Sequence, residues 1–361
     1  MSKKTPSNLS NLRGEIDALD EQIQLLITAR AGLAAEVAKV KKSGKQVAIY
    51  RPEREAQVLR SIIKRNDSLL KDQDMAYIFR QIMSACLALE QPLKVAYLGP
   101  EGTFTQEAAL KHFGHGVATL DCGSIDDIFI EVEKGNVDYG VVPIENSSNG
   151  VIGGTVDMLY WQDLQLCGEV EIAINHQLMM ADSKVNIKTI YAHNQALEQC
   201  RRYLQNHYPK AELKAVASNA LAAKLCQDEP SAAAIASESA LDIYNLQKVD
   251  GNIEDKAGNV TRFLVLGNHQ VEASGVDKTS MLITVKHQSG ALFEVLEPFK
   301  KANINLLQVA KHPIPRVKWE YLFLIDIEGH RDDEIVKKTL EIVRQKTLKL
   351  KILGAYPQAV L

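Results

Sequence analysis

The segment LSNLRGEIDALDEQIQLLITARAGLAAEVAKVKK, residues 9–42, is one continuous heptad pattern. Two series of mainly apolar residues each repeat every seven positions, and the second follows the first by three residues. These series are Leu9, Ile16, Ile23, Arg30, Val37 and Leu12, Leu19, Leu26, Leu33, Val40. This a/d pattern predicts one helix over residues 9–42, about 50 Å long at about 1.5 Å per residue.

Two shorter helices are predicted after a stop signal at Ser43-Gly44. The second helix begins at Pro52, a residue favoured in the first helical turn, and the third runs from about Asp74 to Glu90. The first helix overhangs any compact unit of three helices, so its seam needs a second copy of the chain. The periodicity therefore predicts an intertwined dimer, either as a plain coiled-coil arm or as part of a functional site.

Arg30 occupies an a position of the seam, where an isolated guanidinium costs several kcal/mol to desolvate. Asn or Lys is the usual polar residue at such a position, whereas the planar fork of Arg suits a buried anion. Further cations and a carboxyl lie nearby in the pattern, namely Arg13, Lys41, Arg51, Arg54 and Glu90. We therefore expect a pocket for a small polyanionic substrate.

The middle of the chain is predicted to be α/β. A strand at 94–98 leads through the turn 99–105 into a helix at 106–112, an arrangement that suits a carboxylate or phosphate. A second strand at 138–145 ends in the small polar residues 146–150, and further strands are expected at 189–192, 232–236 and 262–266. Ligands bind at the carboxyl ends of strands in open α/β sheets. Thr261-Arg262 fits either a dianion site or the start of an ordinary strand.

The last part of the chain is predicted to be a ferredoxin-like α+β fold with the order βαββαβ. Its expected elements are strands at 280–286, 306–309, 321–327 and 349–353 and helices at 291–302 and 333–346. No nucleophile or acid–base pair is evident in this pattern. Dimer contact and ligand sensing fit it equally well.

The distribution of charge along the chain indicates separate modules, and the composition excludes several classes of protein. The formal charge is +4 over residues 1–91, −11 over 92–272 and +4 over 273–361, which suggests separate modules; with the resemblances given below, we expect domains at 1–91, 94–269 and 278–361. The basic excess is too small for a nucleic-acid surface. No apolar run reaches the length of a membrane span and no secretory signal is visible. Five scattered cysteines without a C-x-x-C pair indicate reduced thiols, so we expect a cytoplasmic protein without metal or cofactor.

Residues 9–91 resemble the all-helical chorismate mutase domain through Arg13, Arg30, Lys41, Arg54 and Glu55. The resemblance implies that Arg13 reaches across from a partner subunit and, with Arg30, holds the carboxylates of chorismate. Lys41 and Glu90 would donate hydrogen bonds to the ether oxygen. Glu55 would accept one from the substrate hydroxyl.

Three positions depart from the enteric form of this family and are further candidate contacts to chorismate. They are Arg51, where an Asp is expected, Cys86, where a Ser is expected, and Glu90, where a Gln is expected. A carboxyl donates a hydrogen bond only while it is protonated. The mutase reaction is therefore expected to need the acid form of Glu90.

Residues 94–269 resemble prephenate dehydratase through three motifs, Gly99-Pro-Glu-Gly-Thr-Phe-Thr105, Val142-Pro-Ile-Glu-Asn-Ser147 and Thr261-Arg262-Phe263. The resemblance implies two α/β lobes like those of a type II periplasmic binding protein, with prephenate in the cleft between them. Thr261 would be the essential catalytic residue. The other expected cleft residues are Thr105, Glu145, Asn146, Ser147, Ser218, Arg262 and Phe263.

Residues 278–361 resemble the ACT domain attached to prephenate dehydratases. Gly290-Ala291-Leu292 matches one family motif, whereas of the second motif only Pro313, after His312, remains. The resemblance implies phenylalanine as effector and a homodimer or larger homo-oligomer. Together the three segments look like a bifunctional enzyme that converts chorismate to prephenate and then to phenylpyruvate. A non-enzymatic amino-acid sensor with solute-binding lobes is the alternative.

Overall fold

The computed structural model describes residues 9–43, 50–313 and 321–360, with the side chains of residues 41–43 excepted. Three helices form the helical module: α1 (Leu9–Ser43), α2 (Pro52–Arg65) and α3 (Asp72–Ala88). The long first helix, its end at Ser43 and the start of the second at Pro52 are confirmed. The third helix begins and ends about two residues earlier than predicted.

Most of the heptad seam of α1 does not pack against its own chain. α1 lies against α3, and Ala38 is the most buried of the small residues on that side. The seam itself stays open to solvent, with Leu19 56%, Leu26 71% and Leu33 64% exposed. The core of the helical module instead forms around Leu59 of α2. A long apolar stripe is thus left for another surface.

The first lobe of the middle module is a six-stranded mixed sheet. Its strands are β1 (Lys94–Leu98), β2 (Ala118–Cys122), β3 (Tyr139–Asn146), β4 (Gly150–Val151), β5 (Gln165–Ala173) and β11 (Val260–Gly267), in the order β2-β1-β3-β11-β5 with β4 on β3. Its helices are α4 (Phe104–Phe113), α5 (Ile125–Glu133) and α6 (Gly153–Trp161). The chain leaves this lobe after β5 and returns as β11, which runs antiparallel to both β3 and β5.

The second lobe is a five-stranded sheet of order β10-β6-β9-β7-β8. Its strands are β6 (Gln177–Met180), β7 (Thr189–His193), β8 (Glu212–Val216), β9 (Ala232–Ala236) and β10 (Gln247–Gly251). Its helices are α7 (Asn194–Gln199), α8 (Arg201–His207), α9 (Asn219–Cys226) and α10 (Ser239–Ile243). The chain crosses between the lobes twice, which leaves a cleft between the two sheets.

The C-terminal module has the predicted βαββαβ order. Its elements are β12 (Asp277–Val285), α11 (Ala291–Lys301), β13 (Leu306–Pro313), β14 (Tyr321–Glu328), α12 (Glu334–Lys346) and β15 (Lys349–Pro357). All neighbours in the sheet β13-β14-β12-β15 are antiparallel, as in a ferredoxin-like fold. The two helices and one sheet face enclose an apolar core. The other face packs on the first lobe, where Leu324 and Tyr356 share a core with Leu264.

Two predictions about the whole chain concern cysteines and membrane spans. All five cysteines are buried and free, as expected for reduced thiols. No helix within the described residues is long and apolar enough to cross a bilayer.

The backbone of β15 touches β5 at Gly354. A Cβ on this residue would lie 2.8 Å from the backbone nitrogen of Leu166, so the two modules would have to separate locally. We expect Gly354→Ala to lower the free energy of unfolding by about 1–3 kcal/mol, because overpacked sites rarely relax fully. Chemical denaturation measures this change.

Gly154, exposed in α6, is the matched control, since a Cβ there meets no atom within 4 Å. Gly154→Ala should leave stability unchanged or raise it by up to about 1 kcal/mol. Equal stabilities of the two variants would contradict the close approach of β15 to β5.

Candidate active sites

A cavity of about 410 Å³ opens between the three helices of the helical module. The structure brings six of the eight predicted chorismate contacts to its wall: Arg30, Arg51, Arg54, Glu55, Cys86 and Glu90. Phe113, from α4 of the first lobe, also lines it. The cavity is therefore completed by the neighbouring module.

Arg30 offers this cavity an unsatisfied cation. Its Nη1 atom is buried and has no hydrogen-bond partner among the described residues. A buried guanidinium nitrogen without a partner is costly, and an anionic ligand would remove that cost. The a-position Arg therefore points to anion binding rather than to register.

Two further contacts to chorismate were predicted, Arg13 and Lys41. The side chain of Lys41 lies outside the described residues. Arg13 lies on the exposed part of α1, about 25 Å along the helix from Arg30, and does not line the cavity.

Arg51 and Arg54 differ in their surroundings. Arg51 donates to Glu53 at 2.5 Å and to Glu272 at 2.6 Å, and the hydrogen bond that Glu53 accepts raises the pKa of Arg51. Two carboxylates thus already hold Arg51. For Arg54 no ion pair is found within the described parts of the chain, so Arg54 is the better candidate for a second anion contact.

The Glu55 carboxylate is bound by Arg80, a residue that the sequence did not indicate as part of the site. Arg80 Nε donates to Glu55 Oε1 at 3.1 Å, and Arg80 Nη1 donates to the carbonyl of Lys111 in α4 at 3.0 Å. Burial raises the pKa of Glu55, and Arg80 opposes that rise. Arg80 stands in the apolar face of α3, where a polar residue breaks the pattern, and that break was the available signal.

The second site is the cleft between the two lobes. It holds two cavities of about 300 and 670 Å³, which share Phe104, Thr105, His193 and Asn219 in their walls. Thr261, Asn146 and Phe263 line the smaller cavity, and Ser218 lines the larger. The structure thus brings five of the predicted cleft residues together.

Thr261 is oriented by Asn146. The Asn146 Nδ2 atom donates to Thr261 Oγ1 at 2.8 Å, and both residues are buried. Because the hydroxyl oxygen accepts this hydrogen bond, its own hydrogen remains available to another acceptor. The helices α4 and α9 also begin at the cleft, capped by Thr103 and Ser218, and helix N-termini attract anions.

The opposite wall carries a pair of residues that the motifs did not indicate. His176 Nε2 and Gln199 Oε1 lie 2.8 Å apart. His176 Nδ1 and Gln199 Nε2 are buried without partners within the described ranges, and both residues line the smaller cavity. Burial lowers the pKa of His176, which favours its neutral form.

The prediction that Arg262 and Glu145 line the cleft is wrong. Successive side chains of a strand point to opposite faces, so Arg262 points away from Thr261. Arg262 Nη1 lies 2.5 Å from Asp326 and 3.2 Å from Glu169, and Gln308 donates to Glu145 at 2.6 Å. Burial acts to lower the pKa of Arg262, but Asp326 and Glu169 hold it above its usual range.

Ser147 and the predicted regulatory residues lie outside the cleft. The Ser147 hydroxyl accepts from the backbone of Val260 at 2.9 Å and borders an adjoining groove. His312 Nε2 lies 2.8 Å from Asp157 of α6, so this residue contacts the first lobe. Gly290 directly precedes α11 as its N-cap, with a positive φ of 80°, which suits glycine. Ala291, Leu292 and Pro313 lie beside Gly290 and His312 in the chain.

Comparison with known proteins finds family matches for the helical module and the two-lobed module. The family model for chorismate mutase type II matches residues 12–91, and that for prephenate dehydratase matches residues 95–271. A prephenate dehydratase from Arthrobacter aurescens, solved in complex with L-Phe, has a TM-score of 0.66 and 28% identity over 73% of this chain and 90% of its own.

Relatives with the same name extend over the whole length. A bifunctional chorismate mutase/prephenate dehydratase of Pseudomonas aeruginosa is 47% identical over 98% of each chain. One of Neisseria gonorrhoeae is 44% identical over 100% of each chain. The chain described here therefore belongs to the bifunctional chorismate mutase/prephenate dehydratase family.

Proposed function

We propose that this enzyme of phenylalanine biosynthesis carries its two activities in two separate sites. The cavity around Arg30 converts chorismate to prephenate, and the cleft around Thr261 converts prephenate to phenylpyruvate. Two observations carry the proposal: the Arg30 Nη1 atom is buried without a partner among the described residues, and the Thr261 hydroxyl accepts from Asn146, which leaves its hydrogen for another acceptor. A purely sensing protein does not need both, and its relatives over the whole length are enzymes.

The mutase step is a pericyclic rearrangement and needs no nucleophile. Its barrier falls when the chain holds the compact conformer of chorismate and stabilises the charge that builds on the ether oxygen. Arg30 binds a carboxylate, Glu55 accepts from the hydroxyl, and Lys41 and protonated Glu90 donate to the ether oxygen.

A second copy of the chain completes this site by supplying Arg13. The exposed seam of α1 supports a dimer, because a stripe of large apolar side chains that long is unfavourable in water. The distance along α1 between Arg13 and Arg30 is too great for both to reach one substrate from the same subunit.

The dehydratase step breaks the bond to the ring carboxylate and releases CO₂. The electron pair of that bond enters the ring, which becomes aromatic as the ring hydroxyl leaves. Thr261 donates a hydrogen bond to the departing oxygen, and Asn146 keeps the Thr261 hydroxyl in place. The N-termini of α4 and α9, rather than Arg262, attract the substrate carboxylates.

Arg30→Ala and Thr261→Ala test the division into two sites. The first variant should lose mutase activity about 30- to 1000-fold, since a buried charge-assisted contact contributes about 2–4 kcal/mol in a transition state. It should still convert prephenate. The second should turn chorismate into prephenate that accumulates, which chromatography of the reaction mixture detects.

Thr261→Ser is the matched control, because it keeps the hydroxyl and should retain dehydratase turnover. If either Ala variant lost both activities while remaining folded, the two-site proposal would be wrong.

Glu90→Gln tests the proposed proton donor. In the wild-type enzyme the mutase rate should fall as pH rises and Glu90 loses its proton, whereas an amide donates at every pH. The Gln variant should therefore keep substantial mutase activity and lose this alkaline decline. The pH profile of the dehydratase reaction in the same preparation is the control. A decline that persists in Glu90→Gln would assign it to another group.

The C-terminal module is proposed to be an ACT domain that senses phenylalanine near Gly290 and His312. Its ferredoxin-like topology, and the L-Phe complex named for the Arthrobacter dehydratase, support this role. The Arg262–Asp326 contact supports a route to Thr261, since Arg262 adjoins Thr261 in β11. The incomplete second motif favours weaker binding than in relatives that retain it.

Phenylalanine should inhibit the dehydratase reaction of the wild-type enzyme, and calorimetry should detect its binding. Asp326→Asn removes the charge opposite Arg262 without touching the cleft, so phenylalanine should still bind while its inhibition weakens. Absence of binding to the wild-type enzyme would refute the sensor, and unchanged inhibition in Asp326→Asn would refute the route.

A further inference from the structure

Arg80 lies on α3 behind the mutase cavity, on the side of Glu55 away from the substrate space. It is 6% exposed and does not line the cavity itself. Its Nε atom donates to Glu55 Oε1 at 3.1 Å, and its Nη1 atom donates to the carbonyl of Lys111 at 3.0 Å. One guanidinium thus contacts a candidate catalytic carboxylate and the backbone of the dehydratase module.

We propose that Arg80 is the positioning residue of the mutase site, and that it holds Glu55 ionised and aimed at chorismate from an anchor in the dehydratase module. The inference rests on the role proposed above for Glu55. Arg80 does not touch substrate and acts only through this carboxylate.

The physical reason is the burial of Glu55. Its side chain is 14% exposed, and a carboxylate so enclosed favours its neutral form unless a cation is close. A protonated Glu55 accepts a weaker hydrogen bond from the substrate hydroxyl than an ionised Glu55 does. Arg80 supplies this cation in a fixed orientation, because its guanidinium also donates a hydrogen bond to the Lys111 carbonyl.

Among the titratable groups near Glu55, Arg80 is the cation that pairs directly with its carboxylate within the described residues. Those on the substrate side are Arg30, Arg51, Arg54, Cys86 and Glu90, and Tyr50 lies at the boundary between the two sides. Those on the far side are His112, Cys167 and Glu169. Burial lowers the pKa of His112 to about 3 and raises the pKa values of Tyr50 and Cys167, so these three stay neutral near neutral pH.

The hydrogen bond from Arg80 to the Lys111 carbonyl connects the mutase site with the dehydratase module, although the sequence predicted two separate domains. Lys111 belongs to α4, whose first residues, Phe104 and Thr105, line the dehydratase cleft, and whose last residue, Phe113, lines the mutase cavity. The mutase site is therefore assembled against the dehydratase module rather than within residues 1–91 alone.

Arg80→Gln in the full-length enzyme tests the inference. We expect the mutase kcat near neutral pH to fall about 10- to 100-fold, as for a displaced catalytic group. Without the cation the pKa of Glu55 rises, so the acid limb of the mutase profile should move upward by about one pH unit. Arg80→Lys should restore the position of the acid limb, because it restores the charge.

Arg60→Gln is the matched control. Arg60, on α2, also joins modules, donating to Ser274 Oγ at 2.9 Å and to the carbonyl of Val276 at 2.8 Å, but it does not line the mutase cavity. Arg60→Gln should leave the mutase pH profile unchanged. An Arg80→Gln profile that keeps the wild-type acid limb, or an equal shift in Arg60→Gln, would overturn the inference.

Glu55→Gln separates this inference from the role on which it rests. If that variant kept full mutase activity, the role proposed for Glu55 would fail. If it lost activity while Arg80→Gln behaved as wild type, only the positioning role of Arg80 would fail. If Arg80→Gln did not fold, Arg80→Lys with its full pH profile carries the test, and a profile that lost its wild-type acid limb despite the restored charge would count against the inference.

Discussion

The alternation of side chains along one strand, β11, determines how the cleft and the C-terminal module are placed on opposite faces of one sheet. β11 returns from the second lobe and inserts between β3 and β5, so both of its edges are hydrogen-bonded. Thr261 and Phe263 face the cleft, whereas Arg262 and Leu264 face the C-terminal module. A shift of one residue in register would exchange these faces. The catalytic hydroxyl and the contact between modules are therefore inseparable parts of one strand.

The charges at the junction explain why the C-terminal module docks in one orientation. Arg262 meets Asp326 and Glu169, and Lys278 adds a second cation at 2.8 Å from Glu169. Removing one partner of a buried set leaves another uncompensated, which costs about 3–5 kcal/mol. The apolar contacts around Leu324 and Tyr356 stabilise the interface between the C-terminal module and the first lobe. The ion cluster fixes the relative orientation of the two sheets.

Much of this architecture could be predicted from the sequence. Seven-residue periodicity indicated α1, and Arg30 stood out as the charged residue in an otherwise apolar series. The strands from Lys94 to Leu98 and from Ala232 to Ala236 also match prediction. The failure at Arg262 has a physical cause: alternation shows that Thr261 and Arg262 face opposite ways, but which face is the cleft depends on packing between distant segments. His176 and Gln199 were missed for the same reason, since they meet only after the chain has folded.

The crystal structure of the enzyme with phenylpyruvate bound tests the central claim, that β11 separates the catalytic face from the docking face. We expect the product to lie in the cleft, with the ring carbon that lost the hydroxyl beside Thr261 Oγ1 and the Arg262 guanidinium still on Asp326. An Arg262 side chain turned into the cleft and bound to the product carboxylate would contradict the account.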